Sequence, residues 1–254
     1  MSPSEKAQRL RARKGGPPIS ALTAYDYPTA RLLDEVGVDL LLVGDSLGMV
    51  VLGFPDTTHV TLDHMIHHTA AVSRGVKDAF VVGDLPIDTY PDPEVALANA
   101  RLLAKAGAHS VKLEGGIRQA EKVAAITGAG IPVVGHLGML PQRVKEEGGY
   151  KKKGKTDQET RDLLEGALAL QEAGISALVL ESVLPAAARH LTDHLAVPTI
   201  SIGCGQGNCD GEIAVITDVI GSYPWFVPPF ASPRADVAAE ITRAVKGYLD
   251  ALNG

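Results

Sequence analysis

The sequence contains only two cysteines, Cys204 and Cys209, in 254 residues. Two thiols so close together are too few for a disulfide framework, which favours a reducing compartment. The sequence also lacks any run of eighteen apolar residues, so we expect no membrane-spanning helix. The N-terminal residues SEKAQRLRARKGG have no apolar core, so we expect no secretory signal there.

An excess of positive charge is absent as well. The formal net charge is −6, which argues against a nucleic-acid partner because phosphate binding depends on basic surface. Hydrophobic residues make up 45% of the chain and charged residues 21%, as is ordinary for a globular protein. These features predict a cytoplasmic enzyme or binding protein with neither a nucleic-acid nor a membrane partner.

Apolar segments that alternate with helix-like segments predict an α/β fold. Most are continuous apolar runs, which is typical of parallel strands covered on both faces. The strand candidates are Ile19–Ala24, Asp39–Val43, Phe80–Gly83, Ser110–Leu113, Ile131–Gly135, Ala177–Leu180, Thr199–Ile202 and Ile213–Thr217. About eight βα units in roughly 250 residues predict a (β/α)8 TIM barrel. A doubly wound open sheet is the alternative, but polar residues end nearly every strand instead of clustering at one switch point.

Helix boundaries are marked by caps and by amphipathic segments. Glu94–Ala106 and Thr160–Glu172 are amphipathic and are each followed by a glycine, as many helices are. Asp92 before Pro93 resembles a helix N-cap, and Thr61 is a second candidate cap.

No linker or change of composition divides the chain, so we expect a single barrel domain. Residues 1–16 are predicted to form a basic, solvated N-terminal arm or short helix, and residues 17–254 the barrel with a C-terminal extended segment and helix. Two long irregular stretches, Gly48–Val60 and Leu137–Asp157, follow strand ends that carry polar residues. In a barrel they would be loops over the active face.

Two strand candidates end in the same pair of residues, Gly-Asp. Asp45 follows Leu40–Val43 and Gly44, and Asp84 follows Val81–Gly83. A carboxylate at the end of an apolar run is costly to bury unless something pairs with it. Two carboxylates with open water positions suit Mg²⁺, so we expect one cation between Asp45 and Asp84. The alternative is that each aspartate caps the following helix.

Further polar side chains follow the other strands. Lys112 and Glu114 alternate along one strand and should share a face, either as an internal ion pair or with Lys112 holding a substrate carboxylate or oxyanion. His136 is either a substrate contact or a hydrogen-bonded structural residue. Glu181 ends an apolar run, and partial removal of a carboxyl group from water suits a general base; a buried capping residue is the alternative.

Three other motifs point less clearly to a site. His64, His67 and His68 have helical spacing suited to zinc but lack an acidic companion motif. The stretch Gly203–Gly207 lacks the full glycine pattern of a nucleotide loop. The run KKKGK at 151–155 is either a solvated loop or a local attraction for an anionic substrate.

An ordered series of motifs over residues 20 to 221 resembles the ketopantoate hydroxymethyltransferase (3-methyl-2-oxobutanoate hydroxymethyltransferase) family. The series consists of TAYDYPTARLLDEVGVDLLLVGDSLGMVVLG, HVTLDHMIHHTAAVSRG, GDLP, VKLEGG, IPVVGHLGMLPQ, GGYKKKGKT, LVLESV and CDGEIAVITDVIG. The resemblance implies a barrel of the phosphoenolpyruvate/pyruvate type, dependence on Mg²⁺, and a homo-oligomer, a decamer by resemblance. It also implies transfer of a one-carbon unit from methylenetetrahydrofolate, a folate, to 3-methyl-2-oxobutanoate, which gives ketopantoate.

The resemblance assigns roles by motif. It implies Asp45 and Asp84 as metal ligands, joined by Glu114 directly or through water. Asp45, Ser46, Asp84 and Lys112 would hold the oxo acid, His136 would contact it, and Glu181 would accept its proton. These roles agree with a reaction in which Mg²⁺ polarises the carbonyl, Lys112 supplies fixed positive charge, and Glu181 removes the C3 proton to give a Mg-stabilised enolate.

Several positions depart from the family pattern. These are Ile87–Tyr90 after GDLP, the HLGMLPQ motif, KKKGK, Glu212 and the tail PWFVPPFASP. The metal and base positions are intact, so we expect the enolisation chemistry to be retained. Two rival functions are a Mg-dependent C–C lyase that acts on a 2-keto acid in the same barrel superfamily, and a non-catalytic metabolite-binding barrel.

Overall fold

A computed structural model describes residues 1–253, and eight parallel strands in it close into a barrel. Each strand pairs with the next along the chain, and the ring closes where Ile19 N–H donates to the carbonyl of Asp210 at 2.9 Å. The strands are β1 (Ile19–Thr23), β2 (Leu40–Val43), β3 (Phe80–Asp84), β4 (Ser110–Glu114), β5 (Val133–Gly138), β6 (Ala177–Glu181), β7 (Thr199–Ile202) and β8 (Gly211–Ala214). The (β/α)8 barrel is therefore confirmed, and the open sheet is excluded.

In the described part of the chain, ten α-helices precede, connect or follow the strands. They are α1 (Pro3–Arg11), α2 (Tyr27–Glu35), α3 (Leu47–Val50), α4 (Leu62–Gly75), α5 (Pro93–Lys105), α6 (Ala120–Gly128), α7 (Asp157–Glu172), α8 (Pro185–His194), α9 (Ile216–Ile220) and α10 (Val237–Asn253). The predicted caps are confirmed, because Thr61 accepts from His64 N–H and Asp92 accepts from Val95 N–H. No helix within residues 1–253 has both the length and the apolar character to cross a bilayer.

The barrel interior is apolar toward the beginnings of the strands. Alternate residues of successive strands point to the same face, so every second side chain enters the interior. One buried cluster contains such residues from all strands except β4: Ile19, Ala21, Leu40, Leu42, Phe80, Val82, Val134, Ala177, Val179, Ile200 and Ile213. On β4, the same alternation assigns Ser110, Lys112 and Glu114 to the interior.

The N-terminal segment forms the short helix that was one of its two predicted forms, and most of its residues are exposed, but one face is buried. It forms α1, whose Ala7 and Leu10 belong to the barrel cluster. The Lys6 ammonium is also buried and donates to the carbonyls of residues 77, 78 and 79 at 3.1, 3.1 and 2.9 Å. Two apolar residues three positions apart are enough to turn one face of a mostly polar helix toward the core.

The last strand begins two residues before its predicted position. The prediction Ile213–Thr217 followed the apolar residues, whereas β8 begins at Gly211 and Ile216 already starts α9. A Cβ at Gly211 would lie against the backbone of Ile19. Glycine is therefore required where the closing strand approaches β1.

Two compact units are distinguished along the chain. The first spans Met1–Ile213 and contains the barrel strands up to the middle of β8. The second contains the residues from Ala214 onward, in which Gly221 ends α9 in the left-handed conformation and Arg234 N–H donates to the carbonyl of Val219. Every described residue of α10 is at least partly exposed.

Candidate active site

Five strand ends bring polar side chains to the carboxyl mouth of the barrel. The positions follow from the two-residue period of a strand, because each side chain lies two residues beyond an interior residue: Asp84 after Val82, Glu114 after Lys112, His136 after Val134 and Glu181 after Val179. Strand register makes neighbours of the Cα atoms of Asp84 and Lys112, and of Glu114 and His136. Asp45 lies two residues past the end of β2.

Asp45 and Asp84 lie side by side, and both are buried. The backbone N–H of Asp45 donates to Asp84 Oδ2 at 3.3 Å, and the Lys112 ammonium donates to the same oxygen at 2.6 Å. Neither aspartate is the N-cap of a described helix, whereas Asp26 caps α2 by accepting from Thr29 N–H at 2.8 Å. The capping alternative is therefore excluded for the Gly-Asp pair.

This pair carries more negative charge than its surroundings neutralise. Burial raises the pKa of Asp45, and the nearby charge of Asp84 raises it further. Burial also raises the pKa of Asp84, because the charge of Lys112 offsets only part of the penalty. Asp84 Oδ1 is buried and has no hydrogen-bond partner within residues 1–253.

These observations fit a divalent cation held by hard oxygen atoms. Mg²⁺ in proteins takes one or two carboxylates and completes its shell with water and substrate oxygens. Asp84 offers an unpartnered buried oxygen for this purpose, and a cation would relieve the repulsion from Asp45. Within the described chain, no group of three or more His, Cys, Asp or Glu side chains is arranged as a metal site.

Lys112, Glu114, His136 and Glu181 form a continuous chain of charges. Lys112 Nζ forms the ion pair with Glu114 Oε1 that was one of its two predicted roles, at 3.5 Å, but it lies closer to Asp84 Oδ2, at 2.6 Å. His136 Nδ1 lies 3.3 Å from Glu114 Oε1, and His136 Nε2 lies 3.3 Å from Glu181 Oε2. Neither imidazole contact has hydrogen-bond alignment, so both are close electrostatic contacts.

Two members of this charged group, Lys112 and His136, are positively charged at neutral pH. Burial lowers the pKa of Lys112, but the charges of Asp84, Glu114 and Asp45 outweigh it and raise the pKa overall. Burial and the charge of Lys112 lower the pKa of His136, but Glu114 and Glu181 outweigh them and raise it to about 9. His136 is therefore an imidazolium between two carboxylates.

The remaining predicted residue, Ser46, lies next to this group. Its hydroxyl is 2.8 Å from the hydroxyl of Tyr25. His68, one of the three closely spaced histidines, places Nδ1 2.6 Å from the backbone carbonyl of Tyr25, whereas His64 Nδ1 accepts from Thr61 N–H within a helix cap. These two histidines have separate backbone partners.

The lysine-rich loop runs beside the end of β6. Lys153 N–H donates to the carbonyl of Ser182 at 3.0 Å, and Leu184 N–H donates to the carbonyl of Lys153 at 2.9 Å. The Lys153 ammonium pairs with Glu147 at 2.6 Å, whereas Lys152 is exposed. The loop is therefore anchored by its backbone next to Glu181, and only part of its charge is free.

A buried glutamine, which sequence reasoning missed, joins the carboxylates. Gln142 Nε2 donates to Asp45 Oδ2 at 2.9 Å, and its backbone N–H donates to Glu114 Oε2 at 3.2 Å. The Tyr90 hydroxyl donates to Gln142 Oε1. The only sequence signal was a glutamine after proline in a long loop that follows a polar strand end.

Comparison with known proteins identifies close relatives. The profile of the ketopantoate hydroxymethyltransferase family matches residues 5–254. A 3-methyl-2-oxobutanoate hydroxymethyltransferase from Ignicoccus hospitalis is 50% identical over 242 residues, which cover 95% of this chain and 91% of the relative. The enzyme of that name from Syntrophus aciditrophicus is 52% identical over 94% of this chain and 88% of its own.

Solved structures with the same fold are more distant in sequence. A putative phosphonomutase from Burkholderia cenocepacia superposes with a TM-score of 0.69 at 18% identity and covers all of both chains. A phosphonopyruvate hydrolase in complex with oxalate and Mg²⁺ superposes with a TM-score of 0.67 at 16% identity, over 100% of this chain and 89% of the other. At these identities the likeness establishes the fold alone, a closed (β/α)8 barrel.

Proposed function

The chain belongs to the ketopantoate hydroxymethyltransferase family and is an enzyme of that class, and from this we propose the details of its reaction. The acceptor is 3-methyl-2-oxobutanoate and the donor is methylenetetrahydrofolate. The oxo acid loses its C3 proton, C3 bonds to the methylene carbon, water supplies the hydroxyl group, and tetrahydrofolate leaves. The observation that carries the proposal is the buried group of three carboxylates, one lysine and one imidazolium at the barrel mouth, in which Asp84 Oδ1 has no hydrogen-bond partner among the described residues.

In this proposal Asp45 and Asp84 would hold Mg²⁺, and Glu114 would join them directly or through a water molecule. When bound, the cation acts as a Lewis acid toward the carbonyl of the oxo acid. The hard oxygen ligands and the excess negative charge of the aspartate pair support this assignment. The phosphonopyruvate hydrolase in complex with oxalate and Mg²⁺, a barrel of the same fold, is consistent with this assignment.

Lys112 and Ser46 hold the oxo acid in the proposed complex. Lys112 places a permanent positive charge beside Asp84, at 2.6 Å, where negative charge would develop on the keto oxygen. A fixed charge in a buried site stabilises a developing charge far more than it would in water. Ser46 offers a hydroxyl already oriented by Tyr25.

Glu181 is the proposed proton acceptor. Its side chain is 15% exposed, so a substrate can reach it, whereas Glu114 is almost completely buried. The His136 imidazolium, 3.3 Å away, attracts the Glu181 carboxylate and restricts its orientation. General-base help of this kind is typically worth about 10²- to 10⁴-fold in rate.

No specific observation favours the C–C lyase alternative. Such a lyase would use a cysteine as acid or nucleophile, and the Cys204 thiol is buried and donates to the carbonyl of Leu180 at 3.1 Å. Burial raises the pKa of Cys204 to about 12 and also raises that of Cys209. Neither thiol is available as a thiolate at neutral pH.

Hydrogen exchange at C3 of the oxo acid tests the proposal. With Mg²⁺ in D₂O, the wild-type enzyme is expected to exchange the C3 proton of 3-methyl-2-oxobutanoate in the absence of folate. Glu181→Gln should abolish this exchange while the oxo acid still binds, as measured by calorimetry. Exchange that persists in this variant would assign the base to another residue, and absence of exchange in the wild type would refute the enolisation mechanism.

We also propose that the enzyme is a cytoplasmic homo-oligomer. Large apolar side chains are exposed in the second unit, including Trp225 at 80% and Tyr248 at 65%, and such surface is typical of interfaces. The two cysteines are free thiols, as expected in a reducing compartment. Sedimentation velocity at the single-chain mass of 26.6 kDa would refute the oligomer, and cell fractionation tests the location.

A further inference from the structure

Gln142 makes more polar contacts within the site than any packing role requires. Its side chain is buried, and Nε2 donates to Asp45 Oδ2 at 2.9 Å and to the carbonyl of Leu85 at 3.0 Å. Oε1 accepts from the Tyr90 hydroxyl. A carboxylate and a backbone carbonyl only accept hydrogen bonds, so the amide nitrogen must face Asp45 and the amide has one orientation.

The backbone of the same residue holds a second carboxylate. Gln142 N–H donates to Glu114 Oε2 at 3.2 Å, within the short 3-10 turn Pro141–Arg143. One residue of the loop after β5 therefore donates to an acid that follows β2 and to an acid on β4. Both bonds are charge-assisted, so each restricts its carboxylate more strongly than a neutral hydrogen bond would.

We propose that Gln142 is a positioning residue that orients Asp45 and Glu114 toward the divalent cation. This inference rests on the proposed function, which assigns Asp45 to the cation. The hydrogen bond from Gln142 Nε2 to Asp45 Oδ2 fixes the plane of the Asp45 carboxylate. The Asp45 side chain is therefore already ordered before the cation binds. Tyr90 in turn fixes the amide through Oε1. Partners of this kind typically change metal affinity or activity by about 10- to 100-fold when they are removed.

The test measures binding of Mn²⁺ alone, as a spectroscopic probe that shares the preference of Mg²⁺ for oxygen ligands. Gln142→Met keeps the length of the side chain, removes the amide, and leaves the backbone bond to Glu114. We expect its Kd for Mn²⁺, measured by electron paramagnetic resonance of the free ion, to rise about 10- to 100-fold. At saturating Mn²⁺ the C3 exchange rate of Gln142→Met should return to within a few-fold of the wild-type rate. The substitution should therefore raise the Mn²⁺ concentration that exchange requires but leave the maximal rate nearly unchanged.

Gln119→Met is the matched control. Gln119 is also a buried glutamine on a 3-10 turn at this end of the barrel, but its Oε1 accepts from Lys122, and within residues 1–253 no hydrogen bond joins its amide to a carboxylate of the site. We expect its Kd for Mn²⁺ to equal that of the wild type. Tyr90→Phe removes the bond to Gln142 Oε1, together with a hydrogen bond between the Tyr90 hydroxyl and the backbone of Glu114, and should raise the Kd in the same direction by a smaller factor.

The outcomes separate this inference from the proposed function. Wild-type protein that binds no Mn²⁺ would refute the assignment of the cation to Asp45, and the inference with it. If the wild type binds Mn²⁺ and the Kd of Gln142→Met lies within about twofold of the wild-type Kd, the inference alone is overturned. The same holds if Gln119→Met loses as much affinity for Mn²⁺ as Gln142→Met does. If Gln142→Met does not fold, Tyr90→Phe decides, and an unchanged Kd in that variant overturns the inference.

Discussion

Asp45 should destabilise the metal-free fold, and Asp45→Asn is expected to raise its melting temperature. The carboxylate is 4% exposed, and burial followed by the charge of Asp84 raises its pKa. An acid whose pKa is higher in the folded state than in the unfolded state lowers the free energy of unfolding once the pH exceeds its unfolded pKa. Asparagine keeps an oxygen that can accept from Gln142 and removes the negative charge.

The size of the effect follows from the charges around the pair. Two like charges roughly 5 Å apart repel by about 3 kcal/mol at an effective dielectric constant of about 20. Lys112 lowers the pKa of Asp45, as does the hydrogen bond from Gln142, so part of this cost is already offset. A net gain of about 1–2 kcal/mol in a chain of this length corresponds to a rise of roughly 2–8 °C in Tm.

Calorimetry in EDTA at pH 7 measures this rise in Tm. Addition of Mg²⁺ provides a second test, in which the wild type and not the variant should gain stability. Metal at about 100 times its Kd should stabilise the wild type by about 2.7 kcal/mol and leave Asp45→Asn nearly unchanged. The difference in Tm between the two metal-free proteins should shrink at acid pH, where the wild-type Asp45 takes up its proton. Asp162→Asn, at an exposed position on α7, is the control and should match the wild type in both measurements. A lower Tm for metal-free Asp45→Asn, or a full response of this variant to Mg²⁺, would refute the reasoning.

Two other predictions concern Gly138, close to the site, and Asp34, whose carboxylate accepts from the backbone just before β3. Gly138 has a φ of 99°, and a Cβ there would meet the backbone oxygen of Glu181, so Gly138→Ala should lower both the Tm and the C3 exchange rate. Gly130→Ala has a similar φ of 83° but no neighbour within 4 Å, so it should lower only the Tm; equal exchange rates in the two variants would contradict the steric explanation. Burial raises the pKa of Asp34, but the backbone N–H groups of residues 77–79 outweigh it and lower the pKa overall. The wild type should therefore lose stability as the pH falls below about 4, and Asp34→Asn should lose less in urea unfolding between pH 7 and pH 3; parallel profiles would contradict this.

The fold could be predicted because its strands are buried on both faces, but the ends of the strands could not. Hydrophobicity ended the predicted strands at Gly83, Leu113 and Leu180, whereas the hydrogen-bonded ladders continue to Asp84, Glu114 and Glu181. Polar residues can belong to an interior strand face when the mouth of the barrel supplies partners for them. The predicted β5 began at Ile131, whereas the strand begins at Val133. The difference arises because Pro132 has no N–H group to contribute to a ladder.

The site was predictable to the extent that strands determine it. A two-residue period and a fixed register place Asp84, Glu114, His136 and Glu181 on one interior face whatever the loops do. The strands do not determine the orientation of each carboxylate, because that orientation depends on hydrogen-bond donors from loops. Gln142 is 97 residues from Asp45 in the chain, and no local pattern relates the two.

This division between strands and loops has a consequence for variation within the site. The strand residues provide the charges, and their positions depend on backbone geometry that tolerates little change. The loop after β5 determines how two of those charges are oriented, through one side-chain amide and one backbone N–H group of Gln142. Under the role proposed for Gln142, substitutions around it in the HLGMLPQ segment would change the affinity for a cation while every acid, lysine and histidine of the site stays in place.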